Sequence, residues 1–449
     1  MKKNVSIKKS RILMGFLALA VALVAGVWHF SPWFRTWSLG KVDQARGAAI
    51  HYDLLDQVEA RNIRQVMTAD PSRNRVIQWQ SDYPVKEPVL EYRKAGESSL
   101  TDASVTEEKF TDGGKDAWIY TARLEQLEPG QAYEYRIRAG KKATEWMPLK
   151  AFAGNTFKAL IFPDSQSADY SVWKATAQPA WQRNPDASFF VNMGDLVDNG
   201  EDNSQWNAWF GVVEPMAEKI PVAPLMGNHE TYDLNWKVRM PEGYLHRFAL
   251  PDNGREKYRN QFYSFTVGDV HFVVLNTQNE ELKEWEPELA RDQEAWFQED
   301  MARNRGKWNI VLMHKDPLQY AFDPATRPGR DREEGFSPEG REWMPLFDRY
   351  GVDLVLSAHL HTYRNRGKIS DFQRADRGPS YVITGVAGDV RYPGLWKRHA
   401  LDVTVAPQPE TDNYLVLEKQ EDQLRIQCFL PDGTLVDTVT VRESGEKAW

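Results

Sequence analysis

Five residues lie just past short apolar runs, and each carries a side chain able to hold a metal ion. Asp164 follows Leu160-Ile-Phe-Pro, and Asp195 follows Phe190-Val-Asn-Met-Gly. Asn228, with His229 and Glu230 behind it, follows Val222-Ala-Pro-Leu-Met-Gly. His314 follows Ile310-Val-Leu-Met, and His359-Leu-His361 follows Leu354-Val-Leu-Ser-Ala. From Asp164 through Asp195, Asn228 and His314 to His359 the spacings are 31, 33, 86 and 45 residues. Carboxylate, amide oxygen and imidazole suit hard or borderline divalent ions. A bridging carboxylate can hold two ions about 3.5–4 Å apart. Singly, each piece reads as a turn or a structural histidine. The ordered series points to metal chemistry. His246, His271 and His399 fall outside it and take no role.

Elements must bring these residues together. The runs Ala159-Leu-Ile-Phe, Ser188-Phe-Phe-Val, Val270-His-Phe-Val-Val-Leu, Asn309-Ile-Val-Leu-Met and Asp353-Leu-Val-Leu are nearly all apolar. Such strands are buried on both faces, as in layered α/β folds. Ligands in open α/β sheets gather at the carboxyl ends of strands. Helices are expected over Asp169–Gln182, Gln205–Ala217 and Gln293–Arg303. Residues 62–154 read differently, with short alternating strands such as Arg75-Val-Ile-Gln-Trp-Gln and a Pro-Gly turn before Tyr133, Tyr135 and Ile137. That pattern indicates a small all-β sandwich. The tail returns to β-hairpins around Pro431-Asp-Gly.

The series resembles the calcineurin-like metallophosphoesterase superfamily, whose pattern runs Asp-x-His, Gly-Asp-x-x-Asp, Gly-Asn-His-(Glu/Asp), His, Gly-His-x-His. A fibronectin type III-like module ahead of it resembles the purple acid phosphatase branch. The resemblance covers 62–449. It implies a four-layer α-β-β-α sandwich over 155–449, preceded by the all-β module at 62–154. It implies two metal ions, iron, manganese or zinc. Asp195 bridges them, Asp164 and His361 bind the first, and Asn228, His314 and His359 bind the second. His229 is the catalytic histidine. Two departures stand out. Gln166 occupies the place of the first motif's histidine, and Asp198 that of the tyrosine which purple acid phosphatases use. Either could complete the first metal's shell or stand behind it. Ala358 replaces a usual glycine, and carboxylates standing behind the ligands are expected to orient the imidazoles.

The implied activity is hydrolysis of a small phosphate ester of the acid phosphatase type, with water activated by the metal pair. A phosphodiesterase or nucleotidase uses the same site. A surface adhesion or receptor protein with a decayed catalytic domain is the reading that Gln166 favours. The segment 316–342, with Arg327, Arg330 and Arg332, is either a substrate-contacting rim or a solvated loop. The stretch 232–262 is a candidate pocket wall.

The ends and the charge set the compartment. Lys2, Lys3, Lys8, Lys9 and Arg11 precede an uncharged run, Ile12–Phe34, whose apolar heart is Ile12–Val27. About 20 apolar residues span a bilayer, and the basic cluster leaves the amino end inside. Residues 1–34 thus read as a signal anchor and transmembrane helix, with 35–61 as a juxtamembrane linker weakly helical over His51–Arg61. The alternative is a cleaved signal peptide and a secreted protein; Trp28 and Trp33 favour the anchor. The net charge of -8 argues against a nucleic-acid surface. With one cysteine, Cys428, no intramolecular disulfide or thiolate cluster can form.

Overall fold

The structure, a computed structural model, describes residues 23–406 and 410–442. Helix α1, Pro32–His51, starts where Ser31 accepts from the Phe34 amide at 3.3 Å and Pro32 takes the first turn. Its small residues face the body: Thr36, Gly40 and Gly47 are buried. Thr36 donates to the Ala168 carbonyl at 3.2 Å, and Arg35 pairs with Asp169 at 3.3 Å. The expected linker at 35–61 is thus a docked helix in its first half. The helical periodicity over His51–Arg61 is not realised; 52–60 form turns, and Leu54 lies 75% exposed. A cap and a stripe of small side chains place the helix, rather than an apolar repeat. Residues 1–22 of the expected anchor lie outside the described residues. Among the described residues, no helix is long and apolar enough to cross a membrane.

The β-module consists of two sheets around Trp79, Leu90, Tyr120, Tyr135 and Ile137. One sheet holds Arg61–Val66, Arg75–Ser81, Lys115–Leu124 and Val105–Asp112; the other is built on Pro88–Lys94 and Ala132–Ala139. The module is not free-standing. Val66 pairs with Val222, so its first sheet continues into the next domain as one sheet of ten strands. Gln65 and Tyr135 both donate to the Glu218 carbonyl at 2.9 Å and fasten the junction.

Beyond it lies a mixed α/β architecture of two facing sheets. The first carries the parallel strands β1 (Phe157–Phe162), β2 (Phe189–Asn192) and β3 (Val222–Pro224), extended antiparallel by the C-terminal strands. The second carries β4 (Trp308–Met313) and β5 (Leu354–Ser357), parallel to each other. Side chains alternate along a strand. Phe157 and Phe189 therefore meet Phe272 of the facing sheet at 5.8 and 5.6 Å, while Phe162 turns outward onto Trp173 at 5.0 Å. Trp173 belongs to α2, Tyr170–Arg183, which packs on α3, Asn203–Ala217, through Trp209. Asp169 and Asp202 cap these helices, accepting from Ser171 and Ser204 amides at 3.0 and 2.8 Å. Helices α4 (Leu289–Arg303) and α5 (Pro338–Arg349) serve the second sheet and meet through Phe297 and Trp343 at 5.5 Å. The Pro431-Asp-Gly turn closes a hairpin with Gly433 at φ +94°.

Candidate metal centre

Every strand from β1 to β5 ends on the same side, and the loops there carry the candidate ligands. Phe162 pairs with Asn192 and Asn192 with Pro224, so three strand ends are level. The loops turn sharply. Asp195, His359 and His361 adopt left-handed backbone at φ +47°, +70° and +52°. Such conformations cost L-residues energy and gather at functional sites. Ala358 is not among the left-handed residues, so its methyl is tolerated. Gly227 is required: a Cβ there would strike the Asp195 carboxylate.

The side chains converge as two overlapping groups. Ligand atoms of Asp195, His314 and His359 lie within 4.8 Å of one another, and so do those of Asp164, Asp195 and His361. Asp195 belongs to both. His314 Nε2 stands 3.2 Å from Asp195 Oδ2 and 3.3 Å from Asn228 Oδ1. His361 Nε2 stands 3.8 Å from Asp164 Oδ1. Two of the three candidate ligand imidazoles are oriented by backbone carbonyls, where carboxylates were expected. His314 Nδ1 faces the Met193 carbonyl at 2.9 Å, and His361 Nδ1 faces that of Val390 at 2.7 Å. Nδ1 then holds the proton, and the Nε2 lone pair is left for a ligand role.

The donor set fits two hard or borderline cations. Asp164 and Asp195 are 0% and 1% exposed, an arrangement that is costly without compensating positive charge. His359 Nδ1 and Gln166 Oε1 are buried with no hydrogen-bond partner among the described residues. Without cations, protons supply the balance. Burial and then the Asp195 charge push Asp164 up to about 7, with His314 opposing. Burial would raise Asp195 too, but His314 and His229 outweigh it and hold it below its ordinary range. Burial works against charge on His314, yet Asp195 and Asp164 push it up to about 9. His361 has too little acid beside it, and burial takes it down to about 4.

Residues 157–363 match the calcineurin-like phosphoesterase family, and residues 60–153 match the purple acid phosphatase N-terminal domain. The chain carries a calcineurin-like phosphoesterase domain behind a purple acid phosphatase N-terminal domain. Among relatives, human acid phosphatase type 7 is 26% identical over 315 residues, 62% of this chain and 67% of that protein. Purple acid phosphatase 15 of Arabidopsis thaliana is 29% identical over 214 residues; that match spans 46% of this chain and only 36% of the relative. The purple acid phosphatase PPD1 from yellow lupin seeds shares the fold, with a TM-score of 0.68 at 18% identity over 86% of this chain and 75% of that one. The homologues and the fold are those of metal-dependent phosphoesterases, a family that uses a dinuclear metal centre.

Within this phosphoesterase domain, His229 stands at the edge of the cluster. Its amide donates to Asp195 Oδ1 at 2.8 Å. Its Nδ1 faces the Asp198 carbonyl at 2.7 Å and the Asp198 carboxylate at 3.4 Å. Its Nε2 lies 3.0 Å from Gln166 Nε2. Both departures from the family pattern therefore touch His229, and Asp198 is in neither ligand group. Burial opposes charge on His229, but Asp195 and Asp198 outweigh it and push it up to about 10.

Four contributors were not assigned from sequence. Glu230 gathers four amides: those of Asp195, Leu196, Val197 and Gly227. Its signal was its position directly after His229. Tyr392 lies on the His361 ring at 4.9 Å, with no pattern to mark it. Tyr232 and Trp236 stand edge-on to His229 at 5.4 and 5.9 Å. They realise the pocket wall expected within 232–262, whereas Tyr244, Phe248 and Phe262 are core. The segment 316–342 is largely a solvated loop. Arg327 and Arg330 are exposed, and Arg332 lies over Phe322 and Trp396 at 5.7 and 5.2 Å.

Proposed function

We propose that the chain hydrolyses phosphate monoesters at a dinuclear centre held by Asp164, Asp195, Asn228, His314, His359 and His361. One observation carries this reading: two buried donor groups share Asp195, with His229 tied to that same carboxylate. Ions bound there would supply the Lewis-acid charge that two-metal phosphoryl transfer uses. The chain's own residues do the rest. Asp198 fixes the Nδ1 proton of His229, so Nε2 points toward the substrate side and delivers a proton to the leaving oxygen. Gln166, its amide turned so that the otherwise unpartnered Oε1 accepts from that nitrogen, holds the ring in place until the ester arrives. Tyr232 and Trp236 wall the ring off from water.

The N-terminal module is read as fibronectin type III-like, on its two antiparallel sheets. The basic cluster and apolar run before residue 28 support a tether with the catalytic part outside the cell. Elemental analysis of the purified protein, with p-nitrophenyl phosphate compared to its bis-ester, tests the main reading. Two equivalents of metal and faster monoester turnover are expected. Faster diester turnover would favour a phosphodiesterase. Metal-free protein that stays inert with added manganese, zinc or iron would overturn the reading.

A further inference from the structure

Among the described residues, exposed apolar side chains run along α1 and recur on a turn beside His229. Leu23 and Val24 are 61% and 57% exposed, and Phe30 and Trp33 are 83% and 62% exposed. Trp37 follows one turn on, stacked on Trp33 at 6.3 Å. The series crosses from α1 onto the catalytic domain. A cleft of about 240 Å³ between them is lined by Trp33, Trp37, Lys41, Lys115 and Leu234. Leu234 and Trp236, 54% and 56% exposed, sit on one turn. Asp233 holds that turn by accepting from the Asn235 and Lys237 amides at 2.7 and 2.8 Å. Trp236 is left-handed at φ +61°, a conformation a bulky residue adopts only when held. One end of the turn thus borders the cleft and the other flanks His229.

The two parts are in direct contact. Thr36 and Arg35 of α1 grip Ala168 and Asp169, and the amides of both loop residues donate to Asp389 at 3.0 and 2.7 Å. Gln166 lies two residues before that grip. The cleft is lined by charges of both signs, Lys41 and Lys115 with Glu201 and Asp202. Lys41 and Lys115 lie side by side; Lys41 donates to Gln44 Oε1 at 3.3 Å and lies over the Trp37 ring at 5.7 Å. The acids nearby are engaged: Asp202 caps α3, and Glu201 accepts from the Leu234 amide at 2.8 Å. Tryptophan beside lysine suits the headgroup level of a bilayer. The sequence ahead of it, Lys2 to Arg11 and then Ile12–Val27, supplies a segment of the same chemistry.

We infer that α1 and the Leu234–Trp236 turn lie against a bilayer surface, and that the site acts on phosphate esters displayed there, those of phosphorylated lipid headgroups. This rests on the phosphoesterase reading above. It uses α1 as a mount that sets the height of the metal centre over the membrane, which a flexible tether could not do.

The test uses the full chain reconstituted in phosphatidylcholine vesicles containing phosphatidic acid, with p-nitrophenyl phosphate as the soluble comparison. The chain is expected to float with the vesicles and to hydrolyse both esters. Combining Trp33→Ser, Trp37→Ser and Leu234→Ser leaves the apolar heart Ile12–Val27 and the metal ligands intact. This variant should keep soluble-ester kcat/KM within about twofold and lose roughly tenfold or more on the vesicle ester. A second variant, Lys41→Glu with Lys115→Glu, should lose the lipid reaction selectively at low salt. Wild-type protein that turns over the soluble ester but not phosphatidic acid would overturn the inference and leave the phosphoesterase reading standing. So would a serine variant with an unchanged lipid rate, or capture of a protein partner by this face in place of vesicles. Wild-type protein inert toward both esters would sink both readings.

Discussion

Glu230 offers the sharpest test of how the ligand loops are held. Its Oε1 accepts from Leu196 and Val197 amides at 2.8 and 3.3 Å, and its Oε2 from Asp195 and Gly227 amides at 2.9 and 2.8 Å. Replace it by glutamine. Whichever way the amide turns, its NH2 group faces two backbone N–H groups and leaves both without an acceptor. Two stranded buried donors cost about 2–6 kcal/mol. An opposing effect exists, because Glu230 sits near Asp195; burial and then that charge push it up to about 7. Removing the charge relieves repulsion, so roughly 1–4 kcal/mol is expected to remain. Unfolding entropy near 2.1 cal/mol/K per residue gives a chain of this length about 0.9 kcal/mol per degree, hence a melting point lower by roughly 1–4 °C. Differential scanning calorimetry reads the shift, and elemental analysis should find less bound metal, since the Asp195 loop is loosened. If repulsion dominated instead, Glu230→Gln would raise the melting point. That result would refute the staple.

Other expectations follow from the same geometry. His229→Ala should lower turnover of p-nitrophenyl phosphate by about 10²–10⁴ with metal content unchanged, as the loss of an acid catalyst does; full activity would remove His229 from its role. Gly227→Ala drives a methyl into the Asp195 carboxylate, and overpacking of this kind costs about 1–3 kcal/mol. Elemental analysis of the folded variant should find the metal lost; full occupancy would contradict the close approach. Protons should leave as metal enters. Asp164 and His314 are raised above their unfolded values, to about 7 and about 9. Their stabilising protons are in place below pH 3.8 and 6.5 respectively, and are lost as pH rises through about 7 and about 9. The metal-free protein should thus weaken between pH 5 and 9 on the order of the linked charge loss, while metal affinity climbs roughly tenfold per pH unit for each proton displaced. Calorimetric titration at several pH values would count these protons; constant affinity from pH 6 to 8 would discard the charge assignment.

The residues that converge on the candidate centre were legible because parallel strands put their chemistry at one end, so five strand ends announce five loops. The caps at Asp169 and Asp202 likewise set helix starts close to those expected. What was illegible has no side-chain signature. The acceptors that orient His314 and His361 are the carbonyls of Met193 and Val390, and a carbonyl looks alike in every residue type. The continuous sheet depends on Val66 finding Val222, a pairing made by the folded chain and not by either strand's pattern. Helix α1 rests on Thr36, Gly40 and Gly47, a small-residue stripe that an apolar period passes over.

The strained backbone at Asp195, His359 and His361 makes the same point from the energetic side. Propensity argues against left-handed aspartate and histidine, at about 1–3 kcal/mol each. A sequence read for propensity alone would place these residues elsewhere. They stay because the amides around them are bound to fixed partners: His359 N donates to the Asp164 carboxylate at 3.1 Å, and Asp195 N to Glu230 at 2.9 Å. The carboxylates that would hold metal, or stand behind it, thus also hold the turns that aim the ligands. Loss of one of them should disturb shape and charge together, and metal alone should not restore the ligand geometry of a variant lacking Glu230.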